Sequence, residues 1–135
     1  MDFQVIYFSK KGNTKKIAEA IAFELGVTAE DVKNAKLDRN TLAFLGSGCY
    51  GGKPAKSITQ FIQDNSFTSR DVALFGTSGS GDGIEVNEME SVLRSKDARI
   101  KGRFFCKGKF LFANRGRPND EDVDEAKKFA QLMRT

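Results

Sequence analysis

The chain reads as an α/β protein, a parallel β-sheet covered on both faces by helices. Short apolar, β-branched and aromatic runs alternate with segments of helical periodicity, which is the order produced by βαβ crossovers. The runs at 3–8, 41–45 and 72–75 are apolar along nearly their whole length, as expected of strands buried on both faces. Each of the three also breaks into a loop of glycine and small polar residues. In such sheets ligands bind beyond the carboxyl ends of the strands, so the three loops are expected to gather at one edge.

The first strand is Phe3-Gln4-Val5-Ile6-Tyr7-Phe8, and the turn Ser9-Lys10-Lys11-Gly12-Asn13 follows at once. Ile17, Ala18, Ile21, Ala22 and Leu25 share one helical face, predicting a helix from 14 to 25 with Gly26 as its stop. Ser9, Asn13 and Thr14 can donate to an anion, Gly12 lets the backbone curl close, and Thr14 can double as helix cap. The new helix aims the positive end of its dipole at the same point. The turn is either an anion cradle or a capped βα turn without a ligand. No Gly-x4-Gly-Lys-Ser/Thr occurs, and Gly-x-Gly-x-x-Gly is missing from both this turn and the loop at 76–83, which argues against a nucleoside triphosphate site.

A weak strand is expected at 29–32 and a turn at 37–40, with no helix of useful length between them. The run at 41–45 leads into Gly46-Ser47-Gly48-Cys49-Tyr50-Gly51-Gly52. Tyr50, among glycines, either lies flat against a planar ligand or covers the sheet edge. Pro54 suits a first helical position, and Ile58, Phe61 and Ile62 give that helix a buried face. The third run, at 72–75, ends in Gly76-Thr77-Ser78-Gly79-Ser80-Gly81-Asp82-Gly83, with a helix expected over 86–94. A last strand at 100–106 places Phe104 and Phe105 in the core. A long loop at 107–117 carries Phe110, Leu111 and Phe112, which cover either a ligand or a partner. Asn119 is the expected N-cap of a closing helix, with Asp122 three residues on and Val123, Ala126, Ala130 and Met133 on its face.

A length of 135 residues suits one domain spanning 1–135, and 39% apolar with 30% charged residues is the balance of a folded soluble protein. No apolar run approaches the roughly 18 residues of a membrane span, and the expected location is cytoplasmic. Histidine is absent, which excludes His-based triads, His metal sites and His proton shuttles. Cys49 and Cys106 are too few for a disulfide framework or a zinc site, and each is expected to be a small buried residue rather than a reactive thiol. The net charge of +4 is uneven: residues 94–117 hold nine Lys/Arg against Asp97 alone. Such a run attracts nucleic acid, an acidic protein or an anionic ligand, or is simply a solvated face.

Ser9-Lys10-Lys11-Gly12-Asn13-Thr14 resembles the phosphate-loop motif of the flavodoxin family, Ser/Thr-x-Ser/Thr-Gly-Asn-Thr, with Lys11 in place of the usual hydroxyl residue. Gly46-Ser47-Gly48-Cys49-Tyr50-Gly51 resembles the family's second loop, and Gly76-Thr77-Ser78-Gly79 its third. The resemblance implies a three-layer sandwich with a five-stranded parallel sheet in the order 2-1-3-4-5. It also implies a bound FMN. Ser9, Lys10, Lys11, Gly12, Asn13 and Thr14 would hold the phosphate. Ser47, Gly48, Cys49, Tyr50, Gly51 and Gly52 would form the second loop, with Tyr50 stacking on the ring and Gly51 turning its peptide with redox state. Thr77, Ser78 and Gly79 would receive the pyrimidine edge. The third loop lacks the tyrosine that often stacks on the other ring face, so the ring is expected to be less enclosed. A response-regulator receiver is excluded because Ser9-Lys10 stands where an acidic pair is required. A low-molecular-weight tyrosine phosphatase is excluded because neither cysteine has arginine six residues on.

The function implied is an FMN-binding electron-transfer protein that shuttles single electrons between redox partners, a carrier rather than a stand-alone enzyme. The basic run implies a partner with an acidic docking face. A monomer is expected, with neither membrane nor nucleic acid as partner. The alternatives are an FMN-dependent NAD(P)H reductase and a flavin-free interaction subunit on the same fold.

Overall fold

The computed structural model describes residues 2–134. Five parallel strands, β1 (Asp2–Phe8), β2 (Ala29–Asp31), β3 (Thr41–Gly48), β4 (Asp71–Ser78) and β5 (Arg99–Lys107), form one sheet in the order β2-β1-β3-β4-β5. The helices are α1 (Asn13–Leu25), α2 (Lys56–Asp64), α3 (Ile84–Ser95) and α4 (Asp120–Arg134). Between β2 and β3 the chain makes only a single 3-10 turn, Val32–Asn34, in agreement with the absence of a helix expected there. The strand order is the one implied by the family resemblance.

The alternation of each strand divides the core into two. Val5, Phe44, Ala73 and Phe75 point toward α1 and α4, where they meet Ile17, Ile21, Ala126 and Phe129. Ile6, Leu45, Val72 and Leu74 point the other way, onto Ile58 and Ile62 of α2 and Val86, Met89 and Leu93 of α3. Phe44 is wholly buried and meets Phe129 edge-on, with ring centroids 5.8 Å apart. The helices therefore stand on both faces because β1, β3 and β4 are apolar on both.

Several local expectations are corrected. β3 runs on to Gly48 and β4 to Ser78, three residues beyond the apolar runs, because Ser47 pairs with Gly76 and Gly48 with Thr77. α1 begins at Asn13 and its cap is Gly12, with φ +94°; Thr14 is buried inside the helix and caps nothing. Pro54 lies ahead of α2, whose N-cap is Ala55. Phe105 is not a core residue: β5 is an edge strand, and Phe105 is 37% exposed. The Asn119 cap is a reciprocal box: Asn119 Oδ1 accepts the Asp122 N–H at 2.9 Å, and the Asp122 carboxylate accepts the Asn119 N–H at 2.8 Å.

The basic run at 94–117 is not one free patch. Arg94 and Arg103 pair with Glu90, Arg99 with Asp71, and Arg117 with Asp122. The Lys96 ammonium donates to the carbonyls of Ile62, Gln63 and Asn65, closing the C-terminal end of α2, where a cation is favoured.

Candidate functional site

Strand order reverses between β1 and β3, and a cleft of about 170 Å³ opens beyond their carboxyl ends. Ser9, Lys10, Lys11, Asn13 and Thr14 line it from the first loop, Gly48, Cys49 and Tyr50 from the second, and Thr77, Ser78 and Gly79 from the third. The three loops read from the sequence thus meet at one place. A fourth segment, Gly108, Lys109 and Phe110, completes the wall. Of these, only Phe110 was singled out by its sequence. Gly108 and Lys109 arrive there because the Gly108 N–H donates to the Ser78 carbonyl at 2.9 Å, and the Asn13 side-chain amide donates to the Lys109 carbonyl at 2.9 Å.

Four of the residues named from the sequence stand outside the lining. Gly12 is exposed at the α1 cap, and its N–H is held by the Ser9 hydroxyl at 3.0 Å. Ser47 is fully buried, where its hydroxyl accepts the Ala55 N–H at 2.8 Å and donates to the Gly48 carbonyl at 2.7 Å, tying the second loop to the start of α2. Gly51 and Gly52, with φ of +63° and +79°, form the tip of a tight turn closed by two backbone hydrogen bonds between Tyr50 and Lys53.

The floor is held by the hydroxyls of Thr14 and Thr77, 2.8 Å apart and buried, which join α1 to β4. Above them, α1 has no side-chain cap and no acidic residue in its first turn, so its open N–H groups and positive dipole end face the cleft uncompensated. Lys10, Lys11 and Lys109 line the cleft and, among the described residues, no carboxylate does. The donor set therefore fits an oxyanion such as a phosphate group. Drug-sized ligands occupy roughly 300–1,000 Å³, so a large planar ring needs the mouth to widen where Tyr50 and Phe110 frame it.

Tyr50 is folded across this site. Its hydroxyl accepts the backbone N–H of Lys10 at 3.0 Å, and its ring meets Phe8 edge-on at 5.9 Å. The hydroxyl lies so close over Gly48 that a Cβ there would stand 2.6 Å from it, so a side chain at residue 48 would push the Tyr50 ring aside. Burial pushes the Tyr50 phenol up from its ordinary value against the opposing Lys10 hydrogen bond. Burial, and next the charge of Glu85, push the Cys49 thiol up, and burial carries Cys106 to about 12. Both thiols stay protonated, which disfavours a nucleophilic role.

Residues 4–114 match the family model described as a flavodoxin domain, and the chain belongs to that family. An uncharacterised protein of Methanocaldococcus jannaschii is 33% identical over 134 residues, covering 90% of this chain and 89% of its own. A flavodoxin-like domain-containing protein of Clostridioides difficile, BilS, is 31% identical over 78% of this chain and 65% of its own length. Among solved structures, a flavodoxin from the domain Archaea superposes with a TM-score of 0.79 at 22% identity, over 96% of this chain and 94% of that one. Among the described residues no helix is long and apolar enough to cross a membrane, and no cluster of metal ligands occurs.

Proposed function

We propose that this chain binds FMN non-covalently and relays single electrons between protein partners in the cytoplasm. One observation carries the reading: the open N-terminus of α1 and three glycine-rich strand ends converge on a cleft with three lysines and no carboxylate. The first-turn amides of α1, with Ser9, Asn13 and Thr14, would hold the phosphate, and Lys10 and Lys11 would add charge to it. Tyr50 would lie against the ring, and Thr77, Ser78 and Gly79 would offer backbone groups to its polar edge. Gly51 has the left-handed freedom that a peptide turn beside the ring requires. When bound, the flavin supplies one-electron chemistry, and the chain's part is to bind, orient and shield it. No histidine, free carboxylate or thiolate is needed in the cleft, and none lines it. The partner reading is an acidic docking face against a monomeric chain.

The test is spectroscopic. The purified protein, or apoprotein given FMN, is expected to show oxidised-flavin absorbance and to quench FMN fluorescence at one per chain. Riboflavin, lacking the phosphate, should bind far more weakly, and Lys11→Glu should weaken FMN but not riboflavin. A colourless protein that leaves FMN fluorescence unchanged would sink the proposal. Rapid bleaching by NAD(P)H without any partner would move it to the reductase reading.

A further inference from the structure

On the far side of Tyr50 from the cleft lies a second, larger groove of about 940 Å³, between β1, α2 and α3. Phe8, Tyr50 and Val92 give it an apolar floor, and Lys10, Lys33, Lys53 and Lys56 stand around it against the single carboxylate of Glu88. All four lysines are exposed, and none has a carboxylate partner among the described residues. This separates them from the run at 94–117, where four arginines are paired and Lys96 is engaged at the end of α2. Lys33 lies over the Phe8 ring, 5.9 Å from its centroid, so cation and apolar floor are one continuous surface.

The groove also contains an unsatisfied donor set. α2 starts from Ala55, which has no side-chain cap to offer, and its first turn holds no acidic residue. Ser57, the second residue of that helix, also lines the groove, its hydroxyl oxygen buried beneath the surface without a hydrogen-bond partner among the described residues. Open helix amides and flanking lysines are together what a carboxylate satisfies. The apolar floor asks for a side chain rather than a run of phosphates, which would favour a continuous basic stripe.

We propose that this groove docks an extended acidic segment of a partner protein. One of its carboxylates would sit at the start of α2 and one apolar side chain on Phe8, Tyr50 and Val92. The use of the groove for electron relay rests on the FMN reading; its binding chemistry does not. Tyr50 and Lys10 line both cavities, so a partner seated here is one aromatic ring from the cofactor cleft.

The experiment uses the full chain and a fluorescein-labelled peptide rich in Glu and Asp with one central phenylalanine, read by anisotropy and by amide shifts in NMR. Binding is expected to weaken with salt and to shift amides of α2 and the 3-10 turn. K33E/K56E should weaken it by about tenfold or more, K33Q/K56Q by less, and K36E/K101E, at exposed lysines outside the groove's lining, by less than about twofold. Replacing the phenylalanine by serine should also weaken it. No binding, equal loss from the control pair, or shifts confined to the 107–117 loop would overturn the proposal, as would a single-stranded oligonucleotide outcompeting the peptide. FMN quenching, measured on each variant, reports separately: lost quenching with intact peptide binding removes the FMN reading alone, and the converse removes the docking site alone.

Discussion

The Tyr50 hydroxyl accepts the Lys10 backbone N–H at 3.0 Å, so a side chain of the second loop holds a donor of the first. In this arrangement Tyr50 competes with any anion for that N–H. Tyr50→Phe should therefore lower the stability of the ligand-free protein by about 0.5–1.5 kcal/mol and tighten FMN by a similar amount, roughly two- to tenfold. Tyr50→Ala also removes the ring and should weaken FMN instead. Urea unfolding and fluorescence quenching on both variants measure the pair of effects. Lowered stability with unchanged affinity for Tyr50→Phe would show that the hydrogen bond survives ligand binding.

Gly46 is a packing requirement rather than a flexible joint. A Cβ built at Gly46 in β3 would lie inside the Phe75 ring of the neighbouring strand β4. Phe75 is fully buried and has nowhere to swing. Gly46→Ala should cost about 1–3 kcal/mol through overpacking, seen as a lowered Tm. Adding Phe75→Leu should recover part of that loss. Additive losses in the double variant would show that the two residues do not share the space.

How far the sequence reached can be judged from these residues. Apolar runs marked β1, β3 and β4 because strands buried on both faces need apolar side chains throughout, and helical spacing marked α1 through Ile17 and Ile21. The extension of β3 and β4 through glycine and serine was hidden, because it comes from pairing with a neighbour rather than from local propensity. The hydrogen bonds of Thr14 and Ser47 were hidden for the same reason: their partners, Thr77 and Ala55, lie beyond any local motif. Gly108 and Lys109 reach the cleft only because β5 ends beside β4, a tertiary fact with no local signature. The three glycine-rich loops were legible because position after a strand, not pairing, determines where they lie.

Glu85 was invisible in the sequence and is the most unusual carboxylate in the fold. It is fully buried at the start of α3, against Gly76, and beyond its own backbone N–H neither carboxylate oxygen has a hydrogen-bond partner among the described residues. Burial first, and the charge of Asp82 after it, push its carboxyl up against the pull of its own backbone N–H. At pH below the ordinary glutamate range both folded and unfolded chains hold the proton, and no penalty arises. As pH rises, the unfolded chain releases the proton first, so stability falls until the folded group also ionises, then stays flat. Glu85→Gln should remove this decline and leave the protein more stable at neutral pH, by an amount on the order of 1–3 kcal/mol. Urea midpoints across the acidic-to-neutral range test it; parallel pH profiles for the two proteins would refute it.

Asp122 carries the opposite sign. Burial pushes its carboxyl up, but two hydrogen bonds from the Arg117 guanidinium, at 2.6 and 2.9 Å, and the Asn119 N–H outweigh burial and hold it below the usual aspartate range. A depressed carboxyl contributes stability above its unfolded pKa and loses it as pH falls through the folded one. Asp122→Asn should therefore destabilise the chain at neutral pH, and the gap from the parent should close below the ordinary aspartate range. Asn119→Ala removes the other half of the box and should cost about 0.5–2 kcal/mol at every pH, since an amide does not titrate. Because Lys109 N–H donates to the Arg117 carbonyl at 2.9 Å, loosening this corner also frees the segment that walls the cleft. Asp122→Asn should then weaken FMN at neutral pH while a stability-matched core variant such as Ile62→Val does not, and equal weakening in both would confine Asp122 to holding α4.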